Sequence, residues 1–357
     1  MLLASTISLS KMRRKKQKKI FWPALLVLLA LSVALGWFTF NKLDRHYLKF
    51  QPQEVKQDFW GITFSTKYAR ELNLDWRQTY TVMLDDLQVK NIRLPVYWDE
   101  IERSEGQYDF SDYDWLISQG EKRQVDFILV LGRRQPRWPE CHQPLWTDAL
   151  SAEKLQEKQL AMLAAAANHF KSYQNITAWQ IENEFFVDWF GTCDRTDKKL
   201  IDREIKLMRQ IDSRPILLTD SGEFSLWIKV GSRADLVGAT MYRVAWNEYL
   251  GYLYSAWPSW IFRAKSQLIG HPSERMMIAE LQAEPWPSNF RHVKDLKTNE
   301  IGDSFTIEQL FTNAEVARRT GFDQAYFWGA EWWYSQMQKN NPVYWQAAKA
   351  IISTGNR

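Results

Sequence analysis

Eight short apolar runs, each followed by a stretch with helical periodicity, recur from residue 59 to the end of the chain, and no other feature narrows the fold as far. The runs are Phe59–Ser65, Asn91–Tyr97, Val125–Gly132, Ile176–Glu182, Pro215–Asp220, Asp235–Tyr242, Met276–Gln282 and Gln324–Gly329. Each reads as a strand covered on both faces, as in a parallel sheet layered by helices. The helical stretches between and after them include Trp76–Lys90, Ser111–Arg123, Ala152–Lys171, Lys198–Ile211, Thr306–Thr320 and Pro342–Ser353. Residues 243–275, after the sixth run, are rich in Trp and Tyr and read as a long loop with a short helix. Eight strand–helix units in about 300 residues fit an α/β fold closed as a (β/α)8 barrel better than an open sheet. In such a barrel the loops after the strands share one face, where chemistry is mounted.

The N-terminus follows different rules. Residues 1–19 carry seven Lys/Arg and no acid, and residues 20–40 carry no charge at all. That uncharged length spans a bilayer, with Trp22 and Trp37 near its ends as interfacial aromatics. The reading is a basic cytoplasmic tail (1–19), a transmembrane signal-anchor helix (20–40), a juxtamembrane spacer (41–56) and an extracytoplasmic domain (57–357). A cleaved signal peptide is the alternative, because Ala34-Leu35-Gly36 offers small residues at suitable spacing. Residues 51–357 hold 36 basic and 41 acidic groups, a net charge of −5. The overall basicity therefore belongs to the tail, and a nucleic-acid partner for the domain has no electrostatic support. The sequence sets no oligomeric state.

Two carboxylates stand at the C-terminal ends of strand runs, Glu184 after the fourth and Glu280 in the seventh. Paired carboxylates across a cleft suit glycoside hydrolysis, where one protonates the leaving oxygen and the other attacks the sugar. Glu182 is a rival for the acid, since strand alternation puts it on the same face as Glu184. Glu223 and Glu284 read as loop acids, solvated or in contact with substrate. Trp98, Trp138, Trp146, Trp189, Trp246, Trp286, Trp332 and Trp333 all follow strand runs. An aromatic-lined rim of that kind suits an oligo- or polysaccharide, whose C–H faces pack on indole. The five histidines show no ligand spacing, and no metal or cofactor is expected. Cys141 and Cys193 fall in loops after neighbouring strands, either as a disulfide of an oxidising exterior or as two free thiols.

Over residues 57–352 the chain resembles the retaining glycoside hydrolases of clan A. In that clan the acid/base is the Glu of an Asn-Glu pair ending the fourth strand and the nucleophile a Glu ending the seventh, which Asn183-Glu184 and Glu280 match. The resemblance further implies that Arg93 holds the nucleophile ionised and that Tyr242 hydrogen-bonds it. It also implies that Asn183 contacts the sugar 2-hydroxyl and that Trp328 is the floor under the reacting sugar. Trp98 and Trp286 are added as substrate-binding aromatics. The run Trp179-Gln-Ile-Glu-Asn-Glu184 is similar to family 42 β-galactosidases. Phe185 departs from the proline that often follows the pair, and Thr240 from the histidine common in family 5. The Arg133-Arg134 pair is unusual and suits an acidic or heavily hydroxylated sugar. The expected function is a membrane-anchored, extracytoplasmic retaining glycosidase acting on a β-linked glycan without a cofactor. A non-catalytic carbohydrate-binding or cell-envelope scaffold barrel, or a transglycosylase using the same residues, is the alternative.

Overall fold

The computed structural model describes residues 29–32, 34–36, 56–193, 197–255, 257–289 and 291–355. The chain divides into two units, Met1–Gln51 and Pro52–Arg357. In the first, the described residues are helical. The tail, most of the 20–40 segment and most of the spacer lie outside the described residues, and among those described no helix is long and apolar enough to cross a membrane.

The second unit is a closed barrel of eight parallel strands: β1 (Trp60–Thr63), β2 (Asn91–Pro95), β3 (Asp126–Leu131), β4 (Ile176–Ile181), β5 (Ile216–Asp220), β6 (Leu236–Met241), β9 (Met276–Gln282) and β10 (Gln324–Trp328). They pair in sequence order, and β10 returns to β1 to close the ring. Strands β7 (Val244–Asn247) and β8 (Gly251–Tyr254) form a separate antiparallel hairpin. Helix Ser259–Leu268 is the short helix expected within 243–275, and the hairpin takes the place of part of the loop expected before it. Aromatic and β-branched side chains such as Val244, Trp246 and Tyr252 favour that pleated pairing.

Alternation along the strands sorts side chains into two cores. Ile128, Ala178, Leu217, Met277 and Tyr326 fill the barrel interior. Their neighbours Phe127, Leu129, Trp179, Leu218, Ile278 and Phe327 face the helices in a much larger core. The helix Ala152–Phe170 starts on the Ser151 cap and Ile307–Arg319 on the Thr306 cap, each side chain accepting a backbone N–H of the first turn. The fifth helical layer is one turn, Ile228–Gly231, and Ala330–Gln338 adds a helix ahead of Val343–Gly355.

Candidate active site

Glu280 reaches the barrel mouth through a slip in strand pairing. Both neighbours of β9 lose register beside Ala279: Ala239 pairs with Ile278 but Thr240 with Glu280, and Ala325 pairs with Ile278 but Phe327 with Leu281. Met277 points into the barrel, so strict alternation would send Glu280 outward; the bulge turns it inward and returns Leu281 to the outer core. There Oε1 accepts from Arg93 Nη1 at 2.9 Å and Oε2 from Tyr242 Oη at 2.8 Å. Arg93, wholly buried, also donates through Nε to Gln180 Oε1 at 2.7 Å and through Nη2 to Asn183 Oδ1 at 2.7 Å. The planar guanidinium thus holds β2, β4 and β9 in one frame.

The end of β4 leaves extended geometry. Glu182 and Glu184 adopt positive φ, 57° and 44°, a region uncommon for non-glycine residues. The turn at Glu182 separates the two carboxyls. Glu182 accepts the backbone N–H groups of Arg133 and Arg134 at 2.9 and 2.6 Å and an amide proton of Gln159, beside the buried Glu204. Its carboxylate is a brace for the loop after β3 and is turned away from the reaction centre. Gly132, at φ +133°, makes this possible, since a Cβ there would lie 2.5 Å from Glu182 Oε1. Glu184, by contrast, has its backbone N–H on Thr219 Oγ1 at 2.9 Å, and no hydrogen bond reaches its carboxyl among the described residues. Burial, then the charges of Glu280 and Glu140, push the Glu184 carboxyl well above the ordinary carboxylate range.

The structure thus brings Arg93, Asn183, Glu184, Tyr242 and Glu280 together. Trp286 joins them at the rim, edge-on to Tyr242 with centroids 5.2 Å apart. Trp328 ends β10, with the guanidinium of Arg137 over its ring at 3.9 Å. Trp98 lies apart: wholly buried, it gives its indole N–H to Glu102 and packs edge-on against Trp146. That placement leaves no indole face for a sugar. Trp332 and Trp333 likewise belong to the core, whereas Trp138 and Trp189 are exposed. Glu284 is not solvated; it is buried and accepts from Tyr68 Oη at 2.5 Å and from Arg137 Nη1. Glu223 accepts the Tyr242 backbone N–H at 3.0 Å, and burial pushes it up to about 7. Among the described residues no group of three His, Cys, Asp or Glu is placed to hold a metal ion.

No family model matches the chain. A β-galactosidase, BgaA, of Clostridium cellulovorans is 23% identical over 176 residues, which is 42% of this chain and only 26% of that protein. A glycosylated family 10 endo-β-1,4-xylanase from Gloeophyllum trabeum superposes with a TM-score of 0.55 at 14% identity, covering 84% of this chain and 99% of the xylanase. A family 5 glycoside hydrolase from Streptomyces cattleya superposes at 0.51 and 11% identity, covering 77% and 71%. The chain resembles clan A glycoside hydrolases in fold.

The sequence did not single out Arg137 or Glu140. The loop after β3 carries both inward together with Arg134 of the expected arginine pair, each at least nine-tenths buried. Arg137 lies between Tyr68 and Trp328, 3.5 and 3.9 Å from their ring centroids, and faces Glu284 and Glu331. Cys141 and Cys193 form a disulfide, with Cα atoms 5.2 Å apart, that ties this loop to the one after β4. The hints in the sequence were the Arg133-Arg134 pair and the cysteine beside Glu140, because loop residues carry no periodic signal.

Proposed function

We propose that the protein is a retaining glycoside hydrolase that cleaves a β-linked oligo- or polysaccharide by double displacement. One observation carries this reading: both oxygens of Glu280 are occupied by donors, Arg93 and Tyr242, while the neighbouring Glu184 is buried with no donor to its carboxyl among the described residues. Donors to a carboxylate favour its ionised form, and burial beside negative charge favours the protonated form. The two carboxyls thus sit in different environments, and that difference assigns Glu280 as the nucleophile and Glu184 as the acid. Glu184 gives its proton to the departing oxygen as Glu280 attacks the anomeric carbon, and the Glu184 carboxylate then takes a proton from the water that releases the sugar. Asn183, Trp328 and Trp286 are the substrate contacts. With sugar in place of water the same steps give transglycosylation.

In this reading residues 20–40 anchor the enzyme, with the basic tail inside and the barrel outside the membrane. Protease added to intact cells then degrades the barrel; digestion only after lysis reverses the assignment.

A non-catalytic glycan-binding barrel has one observation in its favour: Arg137 already lies on the Trp328 ring. A panel of chromogenic β-glycosides and β-glucans separates the two. The enzyme turns over at least one of them, releases a first product of retained anomeric configuration by NMR, and loses that activity in Glu280→Gln. Glycan binding without turnover, or an inverted first product, rejects double displacement.

A further inference from the structure

The proposed mechanism uses two carboxyls, but a third is built into the same place. Glu140 is 3% exposed and accepts from Asn183 Nδ2 at 3.2 Å through Oε2. Through Asn183 and Arg93 it is linked to Glu280 in an unbroken series of polar contacts. Its charge raises Glu184, and the charge of Glu280 in turn raises Glu140. Arg134 stands against it, Nε 3.7 Å from Glu140 Oε2, with Nη2 donating to the Phe190 carbonyl at 2.7 Å. That buried Nε has no hydrogen-bond partner, and the second oxygen of Glu140 accepts none among the described residues. Burial, partly offset by Arg134, pushes Glu140 up to about 8.

Three separate features place this side chain. Glu140 adopts a left-handed backbone, φ 77°. Its neighbour Cys141 is bonded to Cys193. Gly191, at φ +83°, leaves the space the side chain occupies, since a Cβ there would lie 2.7 Å from Glu140 Cγ. Holding a carboxyl in burial and a residue in left-handed backbone each costs free energy, and such costs gather where a ligand is bound. Glu182, which braces the loop, has both oxygens occupied, whereas Glu140 has one.

We propose that Glu140 is a specificity-determining residue that binds the 2-hydroxyl of the reacting sugar, with Arg134 as the positioning residue that fixes it. The inference rests on the glycosidase reading above and deepens it. Glu280 attacks the anomeric carbon, and Glu140 is joined to it through only Arg93 and Asn183, so the hydroxyl it meets belongs to the next ring carbon. The substrate class is then a neutral glycoside with a free 2-hydroxyl. A 2-acetamido sugar brings bulk where Glu140 and Gly191 are already in contact, and a 2-deoxy sugar leaves the carboxyl unpaired.

The test crosses protein and substrate deletions. Wild type, Glu140→Gln, Glu140→Ala and Arg134→Ala are assayed on a turned-over aryl β-glycoside and on its 2-deoxy and 3-deoxy analogues, with melting curves reporting the fold of each variant. Wild type loses about 10- to 100-fold in kcat/KM on removal of the 2-hydroxyl, and Glu140→Ala loses a similar factor on the parent but little further on the 2-deoxy analogue. Equal losses on all three substrates would show a structural role only and overturn the proposal, as would a Glu140→Ala enzyme with unchanged kcat/KM. If wild type turns over no glycoside, the catalytic reading fails, and the same cycle run on calorimetric binding of the three compounds decides the Glu140 proposal separately.

Discussion

Arg137→Ala provides a sharp test of how the mouth of this barrel is held together. The side chain is sandwiched between Tyr68 and Trp328 and faces two buried carboxyls, Glu284 at 5% and Glu331 at 0% exposure. Glu284 keeps Tyr68, and Glu331 keeps the Ser65 N–H at 2.5 Å, so truncation removes the one cation paired with them among the described residues but not every partner. Removing one member of a buried ion pair costs about 3–5 kcal/mol, and the guanidinium–ring packing adds about 1–2 kcal/mol. Burial already raises Glu331 to about 7, and loss of Arg137 raises both carboxyls further. A carboxyl whose folded pKa exceeds its unfolded value of about 4.3 holds its proton more tightly when folded. Stability is therefore greatest below that value and falls as pH rises through the folded pKa. The variant is accordingly expected to lose about 4–7 kcal/mol at pH 8 and only the packing contribution of about 1–2 kcal/mol at pH 5. Urea unfolding followed by tryptophan fluorescence at both pH values measures this. An equal loss at pH 5 and pH 8, or less than about 1 kcal/mol at pH 8, would refute the electrostatic account.

Three further outcomes follow from the same geometry. Glu184→Gln lowers turnover of substrates with poor leaving groups by about 10²–10⁴-fold while largely sparing activated aryl glycosides, whose leaving group needs no proton; a parallel loss on both kinds would remove Glu184 from the acid role. Because Glu184 begins protonated and its pKa is raised, kcat/KM declines on the alkaline side only well above an ordinary glutamic acid; a decline centred near about 4.3 in the pH–rate profile contradicts that protonation state. Gly132→Ala forces a side chain at φ +133° against the Glu182 carboxylate and is expected to cost about 1–3 kcal/mol in denaturant melts, with a loss of activity as the β3 loop shifts; a neutral variant would show that the loop does not depend on this approach.

Much of the architecture follows from local sequence pattern. Buried strands and amphipathic helices are short-range consequences of where apolar residues fall, so eight such units dictate a parallel barrel before any contact is known. Glu184 and Glu280 were legible as strand-end carboxylates for the same reason, since strand ends mark the loop face, whereas Arg93, Asn183 and Tyr242 were singled out by the resemblance to clan A. What alternation could not supply was direction. Counting by twos from Met277 sends Glu280 outward, and only a slip against both neighbouring strands turns it in. Counting by twos along β4 makes Glu182 and Glu184 equivalent, and only the left-handed backbone at Glu182 sends one to brace a loop and leaves the other in the mouth. The hairpin at β7 and β8, the arginine on Trp328 and the third carboxyl at Glu140 all lie in loop segments. Their placement is set by a disulfide, by buried hydrogen bonds and by charges from distant parts of the chain. Periodicity reports which residues are buried together, whereas bulges, left-handed turns and long-range ion pairs arise from closure of the barrel, and these decide which carboxylate faces which.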